Sequence, residues 1–227
     1  MGAMPRPKIR ATSTLTVARI ARPRMTKTTR VTVLFADLRG YTGLAEKLAP
    51  AQIVPLLDEF FAVLAAATAL HGGQVYHVAG DGMMAGFGLG KLAEEGARAA
   101  LAAGHSMLAD FAALAQRWRQ DLSIETGIGV GLHTGEVALA LLGPPGQRRT
   151  TLVGDTVNVA ARLCGRARAG EVLFSCAVAA ALDARTTCGD ADARPIAFLH
   201  LPQFELRGRS TPLDIWCVPA PERVPIS

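Results

Sequence analysis

Asp37 follows the apolar, β-branched run Val31–Ala36, and Asp81 stands between two glycines in Gly80-Asp81-Gly82. A strand ending on one carboxylate and a hairpin turn carrying another can bring two acids to one edge of a sheet. Such a pair suits Mg²⁺ or Mn²⁺, hard ions that take oxygen ligands and share their shell with phosphates. Two such ions can activate a hydroxyl and stabilise a leaving phosphate. Aspartate is also an ordinary turn residue, so the spacing leaves both readings open. Asn158 and Arg162 lie four residues apart on a predicted helix and share a face. An amide and a guanidinium there can hold a ribose and a transferring phosphoryl group, or form a solvent-facing stripe. Arg207 and Arg209 flank Gly208, placed either to grip a polyphosphate or to stand exposed.

These side chains need strands and turns to hold them. Val31–Ala36 reads as a buried strand, followed by a turn through Arg39, Gly40, Tyr41 and Thr42. Ile53, Leu56, Leu57, Phe60 and Leu64 recur at helical spacing. Pro50 and Pro55 fit only near that helix's start, and His71-Gly72-Gly73 ends it. Gln74–Ala79 and Met83–Phe87 read as strands joined by the tight turn at Gly80–Gly82. Leu92–Leu114 is an Ala-rich helix with Glu94 and Glu95 in its first turn, where they suit the helix dipole. Ile124–Leu132 reads as a strand, His133-Thr134-Gly135 as a turn, and Glu136–Leu142 as the strand pairing back.

Gly143–Arg149 is read as a loop, and Thr156–Arg162 as a helix capped by Asp155. Val172–Ser175 reads as a short strand, Ala177–Leu182 as a short helix and residues 184–195 as loop. Gln203–Leu206 and Leu213–Val218 form a closing hairpin around Gly208. The order through residue 142, β-α-β-β-α-β-β, predicts an α/β (α+β) fold. Its core is ferredoxin-like, an antiparallel-rich sheet flanked by helices, in which the first and second strands can lie side by side. That fold hosts many functions and decides none.

Of the 227 residues, 50% are hydrophobic and 19% charged, which excludes a fully disordered chain. With 5% aromatics the core must be built largely from Ala, Val and Leu. The longest apolar run, Phe60–Leu70, is 11 residues broken only by Thr68, too short to span a bilayer. No transmembrane helix or signal peptide is expected, and the chain reads as cytoplasmic. The net charge of +5 comes from one end: residues 1–30 hold eight bases and no acid, the rest 16 bases and 19 acids. Residues 1–29 read as a basic, solvated, disordered tail able to touch an anionic surface without sequence-specific nucleic-acid recognition. Their Arg- and Thr-rich, acid-free composition is also that of a transit peptide, and Met25 reads equally well as the start of a domain. Residues 30–219 form one domain, and 220–227 a C-terminal tail. Cys164, Cys176, Cys188 and Cys217 form no CxxC or metal-finger spacing and read as reduced thiols.

The segments FADLRGYTGLAEKL, VAGDGMMAGFG, IGVGLHTGEV, TTLVGDTVNVAARL and FELRGRSTPLDIW resemble bacterial class III nucleotidyl cyclase catalytic domains. The resemblance covers about residues 30–218 and holds five spaced motifs in order. It implies a palm-type cyclase fold and two divalent cations on Asp37, Asp81 and the Leu38 carbonyl. It implies that the amides of Arg39, Gly40, Tyr41 and Thr42 cradle phosphates and that Asn158 orients the ribose. Arg162 would stabilise transition-state charge, and Arg207 falls where the family usually has a phosphate-binding Lys. The implied reaction is attack of a 3′-hydroxyl on the α-phosphorus with release of pyrophosphate. A head-to-tail homodimer is implied, since in the family the metal aspartates and the Asn/Arg pair come from opposite subunits.

Base recognition departs from the family pattern. Thr151 is an accepted variant whose hydroxyl can bond the adenine amino group. His77 stands where Lys is usual; neutral His can donate or accept, or simply pack. The Glu and small residue typical of guanylyl cyclases are absent. ATP is therefore the first expectation for substrate, a pyrimidine triphosphate (UTP or CTP, as in anti-phage signalling) the second and GTP the third. The departure also leaves open a non-catalytic, nucleotide-binding module. Polymerase-like palm domains share the two-carboxylate logic, but the Asn/Arg helix after Gly154-Asp155 argues against them.

Overall fold

The computed structural model describes residues 28–183, 198–204 and 212–218. The basic tail through residue 27, the 184–195 segment, Cys188, the Arg207–Arg209 turn and the C-terminal tail lie outside the described residues. β1 (Thr28–Arg39) leads through α1 (Tyr41–Lys47) and α2 (Pro50–Leu70) to the hairpin β2 (Gln74–Ala79) and β3 (Gly82–Phe87). α3 (Ala93–Leu122), β4 (Gly127–Leu142), β5 (Arg149–Val153) and α4 (Asp155–Cys164) follow. β6 (Val172–Ser175), α5 (Cys176–Asp183), β7 (Leu199–Phe204) and β8 (Leu213–Val218) complete the order.

The sheet runs β2-β3-β1-β4-β6-β8-β7, with β5 paired to β4. β4 and β6 are parallel, and the other pairs are antiparallel. The expected mixed helix-and-sheet fold, with a ferredoxin-like half, is what the chain adopts. One adjacency differs from expectation: β3, not β2, lies beside β1. A tight β2–β3 hairpin folds β3 back into the gap that the α2 crossover leaves beside β1.

Alternation along β1 divides the sheet's two faces. Leu34, Ala36 and Leu38 point into the main core with Phe60 and Leu64 of α2 and Met107, Phe111 and Trp118 of α3. Phe111 makes edge-on contacts with Phe60 and with Trp118, each at 5.6 Å between ring centroids. The Trp118 indole N–H donates to Glu59 at 2.8 Å and ties α3 to α2. By length and composition α2 is long and apolar enough to cross a bilayer. Its Ile53, Phe60, Leu64 and Ala67 are buried. Val31 and Val33 point to the other face, with Val137, Leu152 and Ala160 of α4.

The expected turn at His133-Thr134-Gly135 does not exist; β4 is one strand of 16 residues. It pairs with β1 without a break from Arg39↔Gly127 to Thr28↔Ala138. The polar residues are satisfied inside the sheet. His133 Nδ1 bonds the Ser175 hydroxyl at 2.6 Å, and the Thr32 and Thr134 hydroxyls bond each other at 2.8 Å. β5, at residues for which no element was expected beyond Arg149, follows the expected loop and supplies the partner for the end of β4. β1 starts at Thr28, and the closing hairpin begins at Leu199 rather than Gln203. α3 continues to Leu122, because Trp118 extends the buried stripe one turn past Leu114.

Candidate active site

The carboxylate pair is set by strand register. Asp37 of β1 stands opposite Gly82, the residue after Asp81. The Leu38 N–H donates to the Asp81 carbonyl at 3.1 Å, fixing the turn against the strand end. Burial pushes the Asp37 carboxyl above its ordinary value, and the Asp81 charge adds to the rise; Arg39 opposes both. A half-buried carboxyl beside a second negative charge makes a place where positive charge is favourable. Gly82 keeps the approach open, since a Cβ there would lie 3.3 Å from Asp37 Oδ1. The donors are hard oxygens, which fits Mg²⁺ or Mn²⁺. Among the described residues no group of three or more His, Cys, Asp or Glu side chains gathers, at this pair or elsewhere.

The Leu38 side chain is in the core, leaving its peptide group for the site. Arg39 was expected to offer a backbone amide, but its side chain carries the more specific geometry. Its guanidinium sits 3.0 Å from Asp37 Oδ2 and donates to the Cys164 carbonyl at 2.5 Å. Gly40 then turns the chain with φ of 77°, a left-handed conformation that favours glycine, and caps α1. Tyr41 packs partly against the main core, while Thr42 is exposed.

α4 lies directly on the backbone of β4. A Cβ at Gly131 would lie 2.5 Å from the Ala160 carbonyl oxygen, and one at Gly135 would lie 2.5 Å from Thr156 Oγ1. Thr156 Oγ1 donates to the Glu136 carbonyl at 2.7 Å and anchors the first turn. Asp155 is not the cap; Gly154 holds that position, with no side-chain capping bond. Asn158 is exposed and Arg162 half-buried on this helix. Among the described residues no hydrogen bond or ion pair joins either of them to Asp37 or Asp81. Cys164 is buried against this seam, donating to the Gly129 carbonyl at 3.3 Å, and burial pushes its thiol up to about 12.

His77 and Thr151 come together across a cavity of about 520 Å³ between β2 and the β4–β5 hairpin. A bulge in the β2–β3 pairing at Tyr76 displaces the strand beside His77. Gln147 and Arg149 line the same cavity and were not foreseen. Arg149 was legible in principle, since it stands two residues before Thr151 and shares its side of a strand. Arg207 lies outside the described residues. The structure thus gathers Asp37, Asp81 and Arg39 at one end of β1, His77 and Thr151 at the cavity, and Asn158 and Arg162 on α4.

The family model "Adenylate and Guanylate cyclase catalytic domain" matches residues 24–216. The chain is 32% identical over 192 residues to "Adenylate cyclase 1" of Rhizobium meliloti, covering 82% of this chain and 27% of that protein. It is 32% identical over 146 residues to an adenylate cyclase of Anabaena cylindrica, covering 61% of this chain and again 27% of the relative. The chain therefore spans about a quarter of the length of these two relatives. Among solved structures it resembles the adenylyl cyclase CyaB of P. aeruginosa, with TM-score 0.76, 28% identity and coverage of 87% of this chain and 98% of that one. It also resembles the guanylyl cyclase Cya2, with TM-score 0.73, 25% identity and coverage of 89% and 98%.

Proposed function

The chain belongs to the adenylate and guanylate cyclase catalytic domain family, and from that premise we propose that it converts ATP to 3′,5′-cyclic AMP and pyrophosphate. The observation that carries this reading is the Asp37–Asp81 pairing at the end of β1, locked by the Leu38–Asp81 backbone bond. Asp37, Asp81 and the Leu38 carbonyl would hold the divalent cations. When bound, these supply Lewis-acid activation of the 3′-hydroxyl and neutralisation of the leaving pyrophosphate.

The protein's own groups do the positioning. Backbone amides from Arg39 to Thr42 face the phosphates, and Arg207 is assigned a phosphate contact by resemblance alone. Thr151 accepts from the adenine amino group while His77 donates to a ring nitrogen. Asn158 holds the ribose, and Arg162 meets the negative charge that builds on the transferring phosphoryl group. Side chains set in advance at these points reduce the entropy cost of reaching an in-line geometry.

The site is shared between two copies in this proposal. Among the described residues no hydrogen bond or ion pair joins Asn158 or Arg162 to the carboxylates of the same chain, which agrees with it. So do the exposed Val78 and Leu142 at the cavity and the exposed Leu139, Leu141 and Val153 on the β4–β5 hairpin, apolar surface suited to burial against a partner. The adenylate cyclase relatives favour ATP, while the likeness to Cya2 and the presence of His77 keep GTP and pyrimidine triphosphates in contention. The test supplies equal ATP, GTP, CTP and UTP with Mn²⁺ or Mg²⁺ and identifies products by mass spectrometry. Dominant 3′,5′-cyclic AMP is expected. Another cyclic nucleotide overturns the ATP assignment, and no cyclic product from a confirmed dimer overturns catalysis in favour of nucleotide binding alone.

A further inference from the structure

Arg39 sits at the join between two parts of the site. One nitrogen of its guanidinium lies 3.0 Å from Asp37 Oδ2; another donates at 2.5 Å to the Cys164 carbonyl and lies 3.6 Å from its sulfur. Its Nε is buried and has no hydrogen-bond partner. The guanidinium lies against β4, where a side chain at Gly129 would collide with both Nε and the terminal nitrogen. Asp37 Oδ1, by contrast, faces the open side at Gly82. The two oxygens of Asp37 are thus divided: one is held by a fixed positive charge of the protein, the other turned toward Gly82, the residue after Asp81.

Arg39 therefore does two things that its backbone amide does not. It neutralises part of a carboxylate pair that would otherwise repel itself. It also holds the last turn of α4, the helix that carries Asn158 and Arg162, where a cation suits the helix's negative end. A divalent ion arriving at Asp37 meets a resident positive charge on the same carboxylate and must bind against it.

We propose that the Arg39 side chain is a built-in counter-cation: it occupies Asp37 when no metal is bound, lowers the site's affinity for a free divalent ion, and ties Asp37 to α4. The proposal rests on reading Asp37 as a cation ligand. In functional terms, a site that takes free cations weakly is loaded best by cations that arrive with a triphosphate. Arg39 is in this sense a positioning residue, acting through Asp37 and Cys164 rather than on the substrate.

The test is a titration of the full chain with Mn²⁺ alone, free ion being read by electron paramagnetic resonance. Arg39→Met removes the charge and keeps the length of the side chain. It should bind Mn²⁺ at least about tenfold more tightly than wild type, as expected for loss of a like charge at a partly buried site. Arg39→Lys keeps the charge but cannot span both partners. Its Mn²⁺ affinity should stay within about threefold of wild type, while amide hydrogen exchange at Gly165–Ala167 accelerates. Unchanged or weaker Mn²⁺ binding by Arg39→Met overturns the proposal, and so does an Arg39→Lys protein with unaltered exchange. Should Arg39→Met fail to fold, Arg39→Gln serves with the same expected direction. The outcome is separable from that for the proposed reaction. Tighter Mn²⁺ binding without any cyclic product refutes only the reaction, and cyclic product without tighter binding refutes only the role of Arg39.

Discussion

Gly131→Ala puts the placement of α4 to a stringent test. A methyl group at residue 131 meets the α4 backbone: the Ala160 carbonyl oxygen at 2.5 Å and Cys164 Cα at 2.7 Å, against the 3.4 Å where ordinary contact begins. Neither atom belongs to a flexible side chain, so α4 must retreat by about 1 Å or the strand must bow. Overpacking of this kind costs about 1–3 kcal/mol. For a chain of this size that lowers Tm by about 2–12 °C. The activity loss should be larger than the stability loss suggests. Displacing Asn158 and Arg162 by about 1 Å costs on the order of a hundredfold in kcat, while Mn²⁺ binding at Asp37 and Asp81 changes little. The assays are differential scanning fluorimetry, initial-rate cyclase kinetics and Mn²⁺ titration on the same preparation. Gly43→Ala is the control, since nothing lies within 4 Å of a Cβ there; its Tm should hold or rise. A Gly131→Ala protein with wild-type Tm and turnover would refute the close packing of α4 on β4.

Arg162→Ala should lower kcat by about 10²–10³, the usual loss for one transition-state contact, with the dimer intact by size-exclusion chromatography. His77→Lys restores the family's usual donor and should raise the share of cyclic AMP formed from mixed triphosphates; an unchanged product ratio would remove His77 from base selection. Folding raises the Asp37 pKa above 3.8, so the folded chain binds that proton more readily than the unfolded one. The resulting cost is absent below pH 3.8 and complete above the raised value. Asp37→Asn in EDTA should therefore raise Tm at pH 7, with the gain shrinking as pH falls through that window.

Much of the core was legible because periodicity and burial agree. Val31–Ala36, the α2 stripe from Ile53 to Leu64, and Val172–Ser175 all lie where apolar spacing puts them. The β4 error has a definite cause. His133, Thr134 and Gly135 have the composition of a turn, yet the His and Thr are paired inside the sheet and Gly135 makes room for Thr156. Local chemistry cannot distinguish a glycine that bends the chain from one that admits a helix. The β1–β3 adjacency was misjudged because strand order depends on the crossover, not on any one segment. Asp37 and Asp81 were still brought together, since the hairpin turn carries Asp81 to the end of β1 whichever of its strands is the neighbour. The Arg39 contact with Cys164 joins residues 125 positions apart, a link that no spacing rule reports.

Subunit complementation tests the central claim most directly. Asp37→Ala and Arg162→Ala are each purified, assayed alone, then mixed under conditions that exchange subunits. If the carboxylates of one copy work with Asn158 and Arg162 of another, each variant alone is nearly inactive. In a symmetric dimer, half the exchanged pairs are mixed and each holds one intact site, so the mixture should recover about a quarter of wild-type cyclic nucleotide formation. A mixture that exchanges subunits yet stays as inactive as its parts would contradict a site shared between two copies of this chain.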